Sequence, residues 1–174
     1  MLKILSTQLG GLLQRISTSQ EAEIEETARL LAQAGIAEGT VYFACFEEMQ
    51  ALEINALHGA EPFAKLKPWT KDTKLISTDR VCIFTRHADN AKALSLAHSL
   101  YDAFIPFAVV ASEKFADCGE MGDLAYTYIS LGIEKGLLPN NFGERIVLPY
   151  SFASLYVYEA IKMAYDEMLS DDQL

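Results

Sequence analysis

Six consecutive residues, Thr85-Arg86-His87-Ala88-Asp89-Asn90, gather a hydroxyl, a fixed cation, a titratable imidazole, a carboxylate and an amide into one short stretch. They follow the apolar run Val81-Cys82-Ile83-Phe84, which has the composition of a strand buried on both faces. Such a mixture at a strand end can hold a phosphate. Thr85 and backbone N–H groups would donate, and the Arg86 guanidinium would add charge in a fork geometry. His87 is the best general acid/base candidate, because an imidazole titrates near pH ~6.5. Asp89 or Asn90 would serve equally well as the cap of a following helix, leaving Arg86 and His87 in solvent. An acidic pair, Glu47-Glu48, follows a second apolar run, Thr40 to Phe46. At a helix start two carboxylates compete with an anion for free N–H groups. They could instead orient sugar hydroxyls, or one could act as a base if desolvation raised its pKa. Glu48 and His87 are then the candidate proton-transfer pair. His58 and His98 read as structural. No His/Glu spacing suggests a metal, and no dinucleotide fingerprint, P-loop or nucleophile elbow is present, so neither metal nor cofactor is expected.

These residues need a frame that brings strand ends together. At 174 residues and 51% hydrophobic, the chain is sized for one domain, residues 1–174, with a sizeable core. Its 14 Lys and Arg against 24 Asp and Glu give a formal charge of −10 at pH 7, which argues against nucleic acid as a partner. No run approaches the roughly 20 apolar residues of a membrane-spanning helix, and Met1 to Gly10 lacks a secretory signal core. A cytoplasmic protein with no membrane association is the expectation. Three cysteines, Cys45, Cys82 and Cys118, are odd in number and widely spaced with no CxxC pair, which argues against a disulfide framework or a zinc site.

Leu2, Leu5, Leu9, Leu12, Leu13 and Ile16 recur at helical spacing. Thr18 with Glu21 fits a capping box for a second helix, with Gly35 as its stop. Thr40 to Phe46 is the first buried strand, Glu47 to His58 a helix closed by Gly59, and Ala60 to Thr78 a looser stretch in which Trp69 packs a loop onto the core. Arg80 to Thr85 is the second strand, Asn90 to Ala103 a helix and Pro106 to Ala111 the third strand. A polar loop spans residues 113–123. Ala125 to Ile129 and Glu144 to Leu148 complete the strands, and a terminal helix runs from Pro149-Tyr150-Ser151 to about Leu169, ahead of an acidic end, Asp171-Asp172. Buried strands alternating with amphipathic helices mean an α/β fold: a three-layer α/β/α sandwich on a five-stranded parallel sheet. Ligands of such sheets bind beyond the carboxyl ends of the strands, which singles out Phe46 to Gln50, Thr85 to Asn90, Ser112 to Lys114, Ser130 to Gly132 and Tyr150-Ser151. Between Phe152 and Tyr165 only Ser154, Glu159 and Lys162 are polar. A helix apolar nearly all round is buried on more than one side, so a homo-oligomer, dimer or tetramer, is expected.

The layout resembles the SIS (sugar isomerase) domain superfamily, and in particular a short bacterial branch similar to phosphoheptose isomerases. The resemblance runs from about Leu2 to Leu169. It is sharpest at Glu26 to Ala34, Val41-Tyr42-Phe43, Glu48-Met49-Gln50 and Val81 to Arg86. It implies flavodoxin-type winding with extra N-terminal helices, subunits packed through helices, and a phosphosugar site at the strand ends. In SIS domains the loop after the second strand is a Ser/Thr-rich, glycine-containing phosphate cradle. Thr85 keeps a hydroxyl at its start, while Arg86, His87, Ala88, Asp89 and Asn90 replace the rest. The glycine- and serine-rich loop after the first strand is replaced by Cys45-Phe46-Glu47-Glu48. Anchored on Gly59, the position of the isomerases' catalytic glutamate holds Ala56, and Ser151 to Leu169 contains no histidine to match theirs.

Two readings follow. One is a protein that binds a small phosphorylated sugar or similar anionic metabolite through Glu47, Glu48, Thr85, Arg86, His87, Asp89 and Asn90, with a divergent aldose–ketose isomerase left open. The other is a non-catalytic regulatory or scaffold homo-oligomer with a degenerate pocket. A strand-end loop blocked by the chain's own side chains would weigh against the first.

Overall fold

The computed structural model describes residues 1–171. Two helices open the chain, α1 (Leu2–Ser19) and α2 (Glu21–Ile36). Five strands then build one sheet: β1 (Val41–Cys45), β2 (Leu66–Pro68), β3 (Arg80–Phe84), β4 (Phe107–Ala111) and β5 (Thr127–Ser130). Their order is β2-β1-β3-β4-β5 and every pairing is parallel. That is flavodoxin-type winding, whose crossovers are usually helical; here all are except the one from β2 to β3, residues 69–79. Helices α3 (Gln50–His58), α4 (Ala91–Asp102) and α5 (Glu120–Leu124) lie in these crossovers, and α6 (Tyr150–Asp171) ends the fold.

Alternation along the strands splits the core in two. Phe43, Cys82, Phe84, Val110 and Ile129 face α1, α2, α3 and α6. Tyr42, Ala44, Ile83 and Val109 face α4 and α5 on the other side. The expected three-layer sandwich is therefore present. β4 sits mid-sheet and is buried throughout, as its unbroken apolar sequence requires. The three thiols are free, and burial pushes that of Cys82 up, out of reach of ordinary reactivity.

Several local expectations are corrected. The fifth strand of the sheet is β2, not Glu144 to Leu148. β2 is short, half exposed and ends in Pro68, which an edge strand tolerates. Arg145–Ile146 instead forms β7, paired antiparallel with β6 (Leu138–Pro139), because the Arg145 guanidinium reaches back to the carbonyls of Gly136 and Leu137. No capping box forms at Thr18. The first helix continues through Ser19, and the Thr18 hydroxyl donates to the Gln14 carbonyl. Gly35 does not stop α2. It is a point of close approach, where an added Cβ would stand 2.7 Å from Leu169 Cδ2 and 3.0 Å from Tyr165 Oη. The 113–123 loop contains a 3-10 turn, Phe115–Asp117, and the short α5. α6 is buried chiefly within its own chain, with Val157, Tyr158, Ile161 and Tyr165 packed against α2 and α3, while Phe152 and Met163 stay exposed. Of the acidic end, Asp172 lies outside the described residues. Among the described residues no helix is long and apolar enough to cross a membrane.

Candidate functional site at the strand carboxyl ends

The loops leaving β1, β3 and β4 meet at one end of the sheet. The parallel register holds them there: Cys45 pairs with Phe84 and Phe84 with Val110, so the three strands finish within one residue of each other. The Ser112 N–H donates to the Arg86 carbonyl (3.0 Å), tying the second and third loops together.

Glu47 and Glu48 stand in a 3-10 turn, Glu47–Met49, that leads into α3. Glu47 holds a left-handed backbone (φ 56°), uncommon for a residue with a Cβ. Both carboxylates turn toward the second loop. Arg86 Nε donates to Glu48 Oε1 (3.0 Å) and Nη2 to Glu48 Oε2 (2.6 Å), a two-pronged pair, with Glu47 Oε2 3.2 Å from the same Nη2. This hydrogen bonding lowers the Glu48 pKa from its ordinary value. The guanidinium carbon lies 5.6 Å from the Tyr150 ring centroid at the start of α6, and His87 meets the same ring edge-on at 5.8 Å.

The third loop, Ser112 to Lys114, is singled out by the sequence as a strand-end loop, but Glu113 within it is not among the binding residues named from the sequence. Glu113 directs one oxygen to His87 Nδ1 (2.7 Å) and accepts the Ala88 N–H with the other (2.8 Å). Its only signal in the sequence was its place two residues past the end of β4. The neighbouring Tyr128 hydroxyl donates to the Glu113 carbonyl (2.8 Å) and fixes that loop. Ser112 beside it carries a fully buried hydroxyl with no partner among the described residues.

The remaining candidates divide. Thr85 is wholly buried and its hydroxyl donates to the His87 carbonyl (3.1 Å), so it shapes the loop from within. Asn90 is the cap of α4: its Oδ1 accepts the N–H groups of Lys92 and Ala93, while its Nδ2 donates to Glu47 (3.1 Å). Asp89 is exposed and, among the described residues, makes no side-chain hydrogen bond or ion pair. His58 lies at the far end of α3, and His98 on α4 pairs with Glu120 at 3.2 Å, away from this site. Among the described residues no group of His, Cys, Asp and Glu could hold a metal.

Chemically the site is closed from within. Two carboxylates, Glu47 and Glu48, hold the one guanidinium, and a third, Glu113, occupies the backbone N–H of Ala88 that could otherwise greet an anion. Contact with Glu113 at Nδ1 leaves the second nitrogen of His87 for proton transfer. A cavity of about 1040 Å³ lies elsewhere, beside β5 against α1 and α2, and is lined by none of Arg86, His87 and Glu113.

Comparisons with other proteins agree on the architecture. The family model described as a domain of unknown function, DUF2529, matches residues 1–169. The uncharacterized protein YwjG of Bacillus subtilis (strain 168) is 31% identical over 172 residues, covering 98% of this chain and 99% of that protein. Solved structures share the sugar isomerase fold at low identity. The E. coli CFT073 protein c3406, in complex with arabinose 5-phosphate, superposes with a TM-score of 0.67 at 11% identity, covering 99% of this chain and 89% of that one. The sugar isomerase domain of an RpiR transcription factor from Sphaerobacter thermophilus gives 0.64 at 12%, covering 99% and 98%. The hypothetical protein MJ1247 of Methanococcus jannaschii, whose structure infers a 3-hexulose-6-phosphate isomerase function, gives 0.62 at 14%, covering 99% and 91%.

Proposed function

This chain belongs to the DUF2529 family, and we propose that it uses the sugar isomerase fold as a non-catalytic regulatory or scaffold module rather than as an isomerase. One observation carries this reading. The Glu113 carboxylate sits on the Ala88 N–H and His87, and Glu48 takes both prongs of Arg86, so the chain's own acids occupy the donors that a ligand phosphate would need. Magnitudes favour the closed site. A phosphate brought within ~4 Å of one of these carboxylates meets a repulsion of about 4 kcal/mol at an effective dielectric of about 20. A charge-assisted hydrogen bond gained from Arg86 returns about 1.5–3 kcal/mol, and Glu48 must first be displaced. The two acid/base residues of phosphoheptose-type isomerases also have no counterpart here. Glu48 is fixed as the partner of Arg86, which leaves it poorly placed to act as a base.

A specific observation favours a second reading, in which a small phosphorylated sugar binds. The position held by Glu113 is one that accepts an anion, since it already holds a carboxylate on a backbone N–H and an imidazole. A phosphate would then exchange with Glu113, with Arg86 supplying charge and His87 the acid/base group of a divergent isomerase. The fold neighbour bound to arabinose 5-phosphate supports that ligand class. Thermal shift against that pentose phosphate, other sugar phosphates and inorganic phosphate separates the two. A ligand at a hundredfold excess over its Kd stabilises a protein by about 2.7 kcal/mol. The regulatory reading expects no shift in the wild type. A shift with one sugar phosphate, lost in Arg86→Ala, would establish the second reading and refute the first.

A further inference from the structure

We propose that the cleft between α4 and the segment after β2 binds a flat aromatic anion, a fused or single ring system carrying a carboxylate. The cleft encloses about 600 Å³, within the size range of small-molecule sites. Phe46 and Trp69 stand side by side on one wall, ring centroids 6.5 Å apart and tilted by 48°. Leu96 and Ile105 line it from the buried core, so an inserted ring meets apolar surface. Trp69 is only half buried, which leaves part of the one large indole in the chain open to a ligand.

Charge gives the site its second character. Lys71 and Lys92 both line the cleft, and neither makes an ion pair among the described residues. No Asp or Glu lines it among the described residues, in a chain that has 24 of them and a net charge of −10. An apolar, aromatic-walled cavity with two unpaired ammonium groups and no acid suits a ring bearing one negative group. A neutral ring forfeits the lysines, and a cation is repelled by them. Packing of the 69–75 segment accounts for the burial of Trp69, but not for an acid-free pair of lysines around a cavity of this size.

The cleft adjoins the strand-end site, since Phe46 and Lys92 also line a small cavity with Glu47 and Asn90, but none of Glu47, Glu48 and Glu113 lines the cleft itself. Trp69 is the sole tryptophan, so fluorotryptophan labelling of the full chain gives one fluorine NMR resonance, placed in the cleft wall. The probes are 2-naphthoate, its neutral counterpart 2-naphthalenemethanol, and inorganic phosphate. The expected result is a saturable shift of the Trp69 resonance with naphthoate, with affinity about tenfold above that for the alcohol, and no shift with phosphate. Lys71→Gln with Lys92→Gln should weaken naphthoate by about tenfold. Ser95→Phe, at an exposed position lining the cleft, should fill it and remove the response. No saturable shift, equal affinity for the alcohol, or a titration indifferent to the lysine pair or to Ser95→Phe would overturn the proposal.

Discussion

Replacing Glu113 with alanine should unlatch the strand-end site, and the size of the effect follows from what the carboxylate holds. The Ala88 N–H is buried, and Glu113 accepts it at 2.8 Å. A buried donor left without a partner costs about 1–3 kcal/mol. The contact with His87 adds less, because that ring is 45% exposed and water screens the pair. The two together come to about 2 kcal/mol, or a Tm lowered by roughly 4–8 °C for a chain of this size. Glu113→Gln keeps an oxygen for the Ala88 N–H and should lose about half as much. The assay is thermal unfolding followed by circular dichroism, with and without excess inorganic phosphate. Phosphate should return part of the lost stability to Glu113→Ala, because the emptied N–H and imidazole then take an external anion, and should leave the wild type unchanged. A Glu113→Ala protein within about 0.5 kcal/mol of wild type would show that the carboxylate holds nothing there.

Other consequences can be measured in the same way. Arg86→Ala removes the group that lowers the Glu48 pKa. A lowered folded-state pKa stabilises the protein above the unfolded carboxyl value of about 4.3 and is lost as pH falls through the folded value. The stability gap between wild type and Arg86→Ala, about 1 kcal/mol at pH 7 for a partly exposed pair, should therefore close on acidification below pH ~4 in urea titrations; a gap that widens in acid would contradict the pairing. Gly39→Ala would set a Cβ 2.0 Å from the Thr78 carbonyl oxygen. The loop whose Asp79 accepts the Thr40 and Ile76 N–H groups must then move, at a cost of about 1–3 kcal/mol in chemical denaturation, and an unchanged midpoint would count against that close approach. The exposed Leu2 and Ile4 on α1 and Phe152 and Met163 on α6 leave apolar surface for a second copy. Sedimentation should find an oligomer that Phe152→Lys with Met163→Lys dissociates; a monomeric wild type would end that proposal.

The central strands were legible because burial on both faces leaves its mark residue by residue. Val81 to Phe84 and Phe107 to Ala111 are unbroken apolar runs, and each is a strand. The Asn90 cap was legible too, since a capping amide acts on N–H groups two and three residues ahead. β2 was not, because an exposed three-residue edge strand ending in proline has neither alternation nor an apolar run. Glu144 to Leu148 misled for the converse reason: its β-branched and aliphatic residues pair only with β6, in a separate two-stranded sheet. In the site, the sequence located Glu47, Glu48, Arg86 and His87 at strand ends. It could not reveal that these acids turn inward onto Arg86, because β1 and β3 become neighbours only on folding. Glu113 was hidden for the same reason. Its partners lie about two dozen residues earlier, and only the pairing of β3 with β4 brings them together. Gln20, whose side chain accepts the Ser130 N–H at 2.8 Å, is another long-range tie with no local pattern.

Isothermal titration of the wild-type protein and of Glu113→Ala with arabinose 5-phosphate and with inorganic phosphate would test the closed-site account most directly. The account predicts no binding heat from either ligand with the wild type, and measurable anion binding once Glu113 is removed. Saturable binding of the pentose phosphate to the wild type, abolished by Arg86→Ala, would contradict it and return the site to the sugar-phosphate-binding function of an open cradle.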